Sequence, residues 1–542
     1  MKTIHKHRAM KRHLLLQGQP YVLLLLLAAL TASCDALSDF GNMNVDPTQA
    51  SDLDPAIQFT TVQLATPGAA YASWRGNLIY ASAIVQHLTN TWWAGDKYTY
   101  NEDWATALWR TAYSGALVPW LASIKNIEDL KARLEKKKAS GEAVDNLLAA
   151  TRIWRVLIYQ RITDTYGDTP YSEAGKGYLE GNFTPKYDPQ RDIYIDLFKE
   201  LEEAIAQFNP AQPTFGSADL VYNGDITKWK RFAYSLMLRL AMRLVKVEPA
   251  TAQQWAVKAI NGGTMQSNED LAAIKYQNGP QNFENIHINP NSSVFAADDA
   301  KLAQTLVNWL KAHNDPRLPI LGAVRKDNQI LTDPAIQKGM PSGYDATTIQ
   351  NHPSWSGDLA DYSRVNPLLT DFDDPVFFLT YAQTALLRAE AAVRGWTSEN
   401  PATLYAEGVR AAMKQLSLYD AGGAADIADV AINAYLAANP LSNNREEALR
   451  QINEQYWVAS FLDGIEAWAN WRRSGYPILE PAPVDDPNPY PGNVTNGQIP
   501  RRLPYPVTEG VLNKTNYEEA LSRQGLRGDP SDMAVRVWWD RP

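Results

Sequence analysis

Apolar residues recur at helical spacing along most of this chain, and strand-like alternation is scarce. In residues 188–208 an apolar stripe runs from Tyr194 to Phe208, Asp188 is the expected N-cap and Pro189 suits the first helical position. The same spacing recurs elsewhere, so we predict an all-α protein with long loops. The predicted helices cover residues 69–89, 104–125, 143–165, 188–208, 226–247, 299–313, 375–396, 405–416 and 445–473.

Residues 262–374 differ from the rest of the chain because Gly, Pro, Asn and Asp are frequent there. A long irregular region inside a compact domain is usually either functional or disordered. Its scattered aromatic residues, among them Tyr344 and Trp355, favour an ordered lobe. We therefore predict a single domain over residues 67–542, with this lobe inserted in a helical scaffold.

The first 33 residues have the pattern of a signal peptide. A basic stretch precedes the apolar run 21–30, which is shorter than the roughly 20 residues that a spanning helix needs. Small residues then precede Cys34, the only cysteine of the chain, as in a bacterial lipobox. That pattern implies cleavage before Cys34 and its lipidation, which anchors a water-soluble body to a membrane. An ordinary signal peptide with an incidental cysteine is the alternative. Residues 34–66 are predicted to form a polar tether and a loop into the domain.

Charge and motif content argue against several classes of function. The chain has 51 Lys and Arg against 60 Asp and Glu, a net charge of −9, so it lacks the positive field that nucleic acid binding needs. It contains no G-x-S-x-G elbow, P-loop or H-E-x-x-H motif, and its histidines lack metal-ligand spacing. We expect no catalytic residues, no cofactor and no metal.

An acidic cluster, Asp371, Asp373 and Asp374, directly precedes Pro375. We expect these carboxylates to cap the helix predicted from Pro375, where negative charge meets the positive end of the helix dipole. Coordination of calcium by the carboxylate oxygens is the alternative.

The most informative local feature is a polar loop with two adjacent tryptophans, residues 89–100. Both indoles cannot easily enter one core, and an indole face stacks on the C–H face of a sugar ring. Packing on top of a helix pair is the alternative for each tryptophan. The candidate ligand-binding residues of this loop and its expected surroundings are Trp92, Trp93, Tyr98, Asn90, Arg75, Tyr344 and Trp355.

Several segments, in order along nearly the whole mature chain, resemble motifs of the SusD/RagB family of surface lipoproteins from Bacteroidetes. Residues 166–174 resemble (F/Y)GD-x-PY-x-EA, and residues 381–392 resemble Y-x-E-x-x-(L/F)-x-RAEA with Gln383 where an acid is usual. The other matching segments are 42–47, 185–205, 231–243, 464–477 and 502–506.

This resemblance implies helix pairs in a TPR-like scaffold and an irregular lobe that carries ligand contacts. It also implies a surface-exposed lipoprotein of the cell outer membrane, whose partner is a SusC-like, TonB-dependent transporter that it covers as a lid. Fructan-binding members use polar residues of the segment matching 42–47, which adds Asn44 and Asp46 as candidate contacts. Turn formation is the alternative for both. The motif residues Gly167 and Gly464 are expected to serve turns or close packing, and Arg388 or Arg472 buried ion pairs.

We therefore expect a non-catalytic lipoprotein that captures oligosaccharides and delivers them to the transporter. Peptide capture on the same scaffold, as in the RagB branch, is the alternative. It would need Asn and charged groups along a groove rather than exposed indoles. A surface-anchored hydrolase is a third possibility.

Overall fold

The structure is a computed structural model that describes residues 53–92, 95–115, 121–279, 287–292, 299–483 and 492–542. A compact unit begins at Pro55 and continues to the C-terminus. The predicted signal peptide and the candidate residues Cys34, Asn44, Asp46 and Trp93 lie outside the described residues and stay predictions. Within the described ranges, none of the helices combines the length and apolar content needed to cross a membrane.

Helices dominate the fold, as the apolar spacing predicts. Those of the first half are α1 Pro55–Ala65, α2 Ala69–Ala72, a π-helical segment Ser73–Ala81, α3 Ser82–Ile84, α4 Glu102–Ala105, α5 Ala107–Ser114, α6 Ser123–Ala139, α7 Asp145–Tyr166, α8 Gly177–Glu180, α9 Gln190–Gln207, α10 Ile226–Arg243 and α11 Pro249–Gly263. Those of the second half are α12 Gln304–Ala312, α13 Leu318–Leu321, α14 Tyr381–Val393, α15 Pro401–Lys414, α16 Asp429–Ala438, α17 Arg445–Ala459, α18 Gly464–Ser474, α19 Glu509–Leu512 and α20 Lys514–Gln524.

Consecutive helices pack as pairs, α6 with α7, α10 with α11 and α14 with α15, in a TPR-like arrangement. The tryptophans expected in the core are all buried: Trp154, Trp229, Trp457, Trp468 and Trp471. Their large apolar surfaces join the helix pairs into one continuous core. The predicted all-α class is thereby confirmed.

Short antiparallel strands were not foreseen, and most of them lie in the lobe. The strands are β1 Leu88–Asn90, β2 Thr169–Pro170, β3 Tyr187–Asp188, β4 Ala272–Lys275, β5 Ala300–Leu302, β6 Gly322–Lys326, β7 Gln329–Leu331, β8 Arg364–Val365 and β9 Pro375–Leu379. They form a sheet in the order β1-β5-β8-β6-β7 and two pairs, β2-β3 and β4-β9. Strands of two to five residues are too short for alternation to be visible in a sequence.

Three predicted helix starts are wrong. The helix predicted from residue 299 begins at Gln304, because residues 300–302 form strand β5. Asp188 does not cap α9, because it lies in β3 and its carboxylate accepts a hydrogen bond from the Ser172 amide at 2.8 Å; Pro189 is the N-cap instead. The helix predicted from Pro375 starts at Tyr381, where Thr380 and Gln383 form a capping box. The acidic cluster 371–374 therefore does not cap a helix.

Two other segments also differ from the prediction. The loop expected up to Thr66 contains α1, which forms because Phe59 and Val62 bury their side chains completely. The helix predicted over 445–473 is interrupted at residues 460–463, and α18 restarts at Gly464. A Cβ on Gly464 would lie 2.5 Å from the Ser82 nitrogen, so close packing requires glycine there, as expected.

Buried ion pairs tie three of the helices together. Arg243 of α10 contacts Glu466 of α18 at 2.6 Å and Asp164 of α7 at 3.3 Å. Burial opposes ionisation of Glu466, but Arg239 and Arg243 outweigh it and lower the pKa of Glu466 to about 2. Arg472 does not form the expected ion pair, since its guanidinium lies over Trp468 and donates to the Arg501 carbonyl at 2.8 Å.

Candidate functional site

Strand β1 fixes the tryptophan loop to the lobe. It pairs with β5, which places Thr89 opposite Lys301 and Asn90 opposite Ala300. The next residue, Thr91, donates its amide to the Asp299 carbonyl at 2.9 Å and accepts from the Ala346 amide at 2.7 Å. Backbone hydrogen bonds thus join the loop to two separate lobe segments.

Trp92 presents its indole to solvent from a fixed position. The side chain is 57% exposed, and no other described tryptophan is as exposed. Its ring nitrogen donates to Asp299 Oδ1 at 2.9 Å, and its amide donates to Asn90 Oδ1 at 3.0 Å. The alternative in which this ring packs on top of a helix pair is therefore wrong for Trp92.

A fully buried ion pair, Asp96 with Lys97, holds the tryptophan loop in place. Lys97 Nζ lies 2.9 Å from Asp96 Oδ2 and donates to the Asn90 carbonyl at 2.6 Å. The same Asp96 oxygen accepts from the Thr89 hydroxyl at 2.7 Å and from the Gly343 amide at 3.1 Å. A buried pair with this many hydrogen bonds fixes the geometry of the strand, the turn and the lobe together.

The lobe brings further aromatic residues to the loop. Tyr344 lies between the two residues whose amides bond the loop, Gly343 and Ala346, and its ring makes an edge contact with His352 at 4.9 Å. Tyr344 is largely buried in a small apolar cluster of the lobe, whereas Trp355 is half-buried beside Tyr362. Trp355 thus exposes more of its ring than Tyr344.

Two sequence candidates have structural contacts instead of open surfaces. Tyr98 is buried, its hydroxyl accepts from the Ala482 amide at 3.0 Å, and burial raises its pKa well above the ordinary value. Arg75 pairs with Asp103 at 3.2 Å and lies over the Tyr71 ring at 3.9 Å. Both residues stabilise the framework around the loop. The burial of Tyr98 corrects its predicted role as a ligand contact, whereas the role of Arg75, which is half-buried, stays a prediction.

Sequence reasoning missed Asp299 and Lys97. Asp299 is 207 residues from Trp92 and reaches it through the β1–β5 pairing alone, so no local pattern could identify it. Lys97 stands inside the tryptophan loop next to Asp96, and an adjacent acid and base in a polar loop could have indicated an ion pair.

The acidic cluster before β9 forms a turn. Asp374 accepts from the Asp371 amide at 2.7 Å, and burial, helped by the charges of Asp371 and Asp373, raises the pKa of Asp374 to about 7. The described residues contain no group of three or more His, Cys, Asp or Glu side chains arranged to hold a metal. The calcium alternative therefore has no support from the geometry.

Comparison with known protein families identifies the family of this chain. The family model SusD-like, described as "Starch-binding associating with outer membrane", matches residues 47–506, which is most of the chain. The chain belongs to the SusD-like family. No curated protein matches it significantly.

Solved structures of SusD-like proteins match this chain over most of its length. A chitin-binding protein is 34% identical with a TM-score of 0.77, and the match spans 90% of this chain and 100% of that one. A SusD-like protein of Bacteroidetes AC2a is 30% identical, with the same TM-score and coverage. A SusD homologue from Bacteroides uniformis is 25% identical with a TM-score of 0.71, over 90% and 100% of the two chains. The TPR-like all-α fold agrees with these relatives.

Proposed function

We propose that this SusD-like protein is a non-catalytic lipoprotein that captures oligosaccharides at the cell surface. In this proposal Cys34 carries the lipid anchor in the outer membrane, and a SusC-like TonB-dependent transporter receives the captured ligand. Membership of a family described as starch-binding and outer-membrane-associated supports the compartment and a binding role. We infer a sugar ligand from the indole of Trp92, which is exposed and held by its hydrogen bond to Asp299.

A fixed indole suits a sugar because it offers a flat apolar face that is already ordered. Asp299 holds the ring nitrogen, so the ring loses little side-chain freedom when a pyranose stacks on it. Trp93, Trp355, Tyr344, Arg75, Asn44 and Asp46 remain candidate contacts. Asn90 is buried and supports the loop instead, since its Oδ1 accepts from the Trp92 amide. An open platform orders few groups, so we expect a Kd of roughly 10 μM to 1 mM, about −4 to −7 kcal/mol.

We propose chitin oligosaccharides as the first ligand class to test. The relative described as a chitin-binding protein is 34% identical and is matched over its whole length. An uncharged glycan also suits a protein with a net charge of −9, since a strongly anionic polysaccharide would be repelled.

Native affinity electrophoresis of the chain without residues 1–33 tests this function. Gels contain soluble glycol chitin, starch or single neutral plant glycans, and Trp92→Ala runs beside the parent. Trp396→Ala is the matched control, because Trp396 is a half-buried indole outside the loop and the lobe. We expect retardation by one neutral glycan, loss of it in Trp92→Ala and no change in Trp396→Ala, with unaltered circular dichroism.

Two other outcomes would redirect the proposal. Retardation that is unchanged in Trp92→Ala would keep the function and move the site to Trp355 and Tyr344. No retardation by any glycan would reject carbohydrate capture, and a peptide screen would follow.

A further inference from the structure

A pocket lined by residues other than those of the tryptophan loop and the lobe lies between α5, the start of α6, residues 170–185 and α19. Its cavity has a volume of about 430 Å³. This volume falls within the range of small-molecule sites, about 300 to 1,000 Å³. The described lining is mainly aromatic and apolar and holds two charged side chains, Glu509 and Lys125. The pocket is therefore large enough for a ligand of amino acid size and has polar groups that could orient it.

Aromatic rings form much of the pocket wall. Trp109 and Tyr113, one turn apart in α5, pack with their ring centroids 4.7 Å apart. Phe183 on the opposite rim is 78% exposed, and its ring approaches the Gly177 backbone so closely that a Cβ there would lie 3.1 Å from it. The exposed Leu512 completes the apolar rim. Such walls suit a ligand with an aromatic group, because aromatic rings attract one another when they stack or meet edge to face.

Glu509 brings a carboxylate to the pocket without a cation to balance it. Its Oε2 accepts from the Tyr187 hydroxyl at 2.6 Å, and Trp109 also hydrogen-bonds to the carboxylate. Within the described part of the chain, Glu509 forms no ion pair with a Lys or Arg side chain. Burial raises the pKa of Glu509 above its ordinary value, and an ammonium group beside it would favour the ionised form. The protein thus leaves room for a cation that a ligand can supply.

Lys125 carries the opposite charge at the edge of the same pocket. It is exposed and has no ion-pair partner among the residues that the structure describes, Glu509 included. The pocket therefore presents one acid and one base that do not neutralise each other. Two such charges on the lining of an apolar pocket complement a ligand that has both an ammonium and a carboxylate group.

Hydrogen bonds within the protein hold the pocket open. Asn513 Nδ2 donates to the Pro185 carbonyl at 2.7 Å, and Asn516 Nδ2 donates to the Thr184 carbonyl at 2.9 Å, so the segments on either side are tied together. The Tyr113 hydroxyl donates to the Pro170 carbonyl at 2.6 Å. A preformed pocket lowers the ordering cost of binding a small ligand.

We propose that this pocket is a second ligand site, which binds a free amino acid with an aromatic side chain. The α-ammonium group pairs with Glu509, the α-carboxylate pairs with Lys125, and the side chain lies against Phe183 and Leu512. A single amino acid has both charges and an apolar group within a volume that the cavity holds. The site is independent of the oligosaccharide capture proposed above, because none of its lining residues belongs to the tryptophan loop or the lobe.

Isothermal titration of the chain without residues 1–33 with three related compounds tests this site. L-Phenylalanine has both charges, phenethylamine has only the ammonium group, and 3-phenylpropionate has only the carboxylate. We expect L-phenylalanine to bind with a Kd of about 0.1 to 1 mM, and each of the other two compounds to bind about tenfold more weakly or less. Equal affinity for L-phenylalanine and phenethylamine would overturn the proposal, because the ammonium group alone would then account for binding.

Two variants assign the charges to their partners. Glu509→Gln, which keeps an acceptor for the Tyr187 hydroxyl, should weaken L-phenylalanine and phenethylamine about tenfold and leave 3-phenylpropionate unchanged. Lys125→Met should weaken L-phenylalanine and 3-phenylpropionate and leave phenethylamine unchanged. Lys136→Met is the matched control, because Lys136 is an exposed lysine of the same helix that does not line the pocket. Absence of L-phenylalanine binding in the folded parent at about 10 mM, or binding that neither variant weakens, would overturn the proposal.

Discussion

Trp92 combines an exposed ring with a ring nitrogen that donates a hydrogen bond to a carboxylate. The Asp299 contact at 2.9 Å limits rotation of the indole, so one face is presented in a constant direction. A tryptophan that merely filled a gap in the core would be buried, as Trp154 and Trp229 are. At the scale of the residue, the proposed stacking of a sugar therefore depends on Asp299 as well as on Trp92.

Asp299→Ala should weaken oligosaccharide binding without unfolding the protein. Loss of one charge-assisted hydrogen bond at a partly exposed site costs about 1 kcal/mol, which is about a fivefold rise in Kd. Isothermal titration with chitohexaose measures this change. Asp299→Asn keeps an acceptor oxygen and should bind nearly as the parent does. If both variants bind equally weakly, the effect comes from the charge of Asp299 and not from its hydrogen bond to the Trp92 indole.

Asp374 should make stability depend on pH. Its pKa rises from the ordinary 3.8 to about 7 in the fold, so the folded state favours the neutral acid. The neutral acid therefore contributes stability that is fully present below about pH 4 and is lost as the pH rises towards 7. The variant Asp374→Asn cannot ionise, so it avoids this loss of stability. Its side-chain oxygen can still accept from the Asp371 amide.

Urea unfolding of parent and Asp374→Asn at pH 4, 6 and 8 measures this dependence. We expect nearly equal stability near pH 4 and an advantage for the variant at pH 8 of up to about 4 kcal/mol, reduced where solvent screens the carboxylate. A difference that does not change with pH would contradict the assignment.

At the scale of the element, β1 and the turn after it form a unit held by the Asp96–Lys97 pair. One carboxylate oxygen accepts from Thr89 and from Gly343, and thus joins the loop to the lobe. The pair is fully buried, so removing one partner leaves a charge without compensation. The position of the tryptophan loop therefore depends on residues that no ligand reaches.

Lys97→Met should destabilise the protein by about 3 kcal/mol, since the Asp96 carboxylate is then buried without its cation. Adding Asp96→Asn should recover part of this loss, because an amide costs less to bury than a charge. Urea unfolding of the two variants gives both values. A double variant that is less stable than Lys97→Met would contradict this account of the pair.

The sequence predicted elements best where one physical signal dominated. The apolar stripe from Tyr194 to Phe208 identified α9 almost to its ends. The strand Pro375–Leu379 was mistaken for the start of a helix, because its formation depends on pairing with β4, about a hundred residues earlier. Similarly, Tyr98 was expected to face a ligand, and only the bond to Ala482 shows that it is buried. Long-range pairing was the missing information in each case.

At the scale of the whole molecule, the helix pairs form a scaffold that presents the tryptophan loop and the lobe, which carry the proposed ligand contacts. Family motifs such as residues 231–243 and 464–477 contribute the buried ion pairs of the scaffold, for example Arg243 with Glu466. This division explains why motifs identified the family but not the ligand contacts.

The proposed function depends above all on a sugar ring that stacks on Trp92. A crystal structure of the chain without residues 1–33, grown with chitohexaose or with the glycan that retards it most, tests this claim most directly. We predict one pyranose ring parallel to the Trp92 indole at van der Waals distance, about 4 Å, with the Asp299 contact intact. An oligosaccharide bound elsewhere, with the Trp92 indole uncovered, would contradict the account.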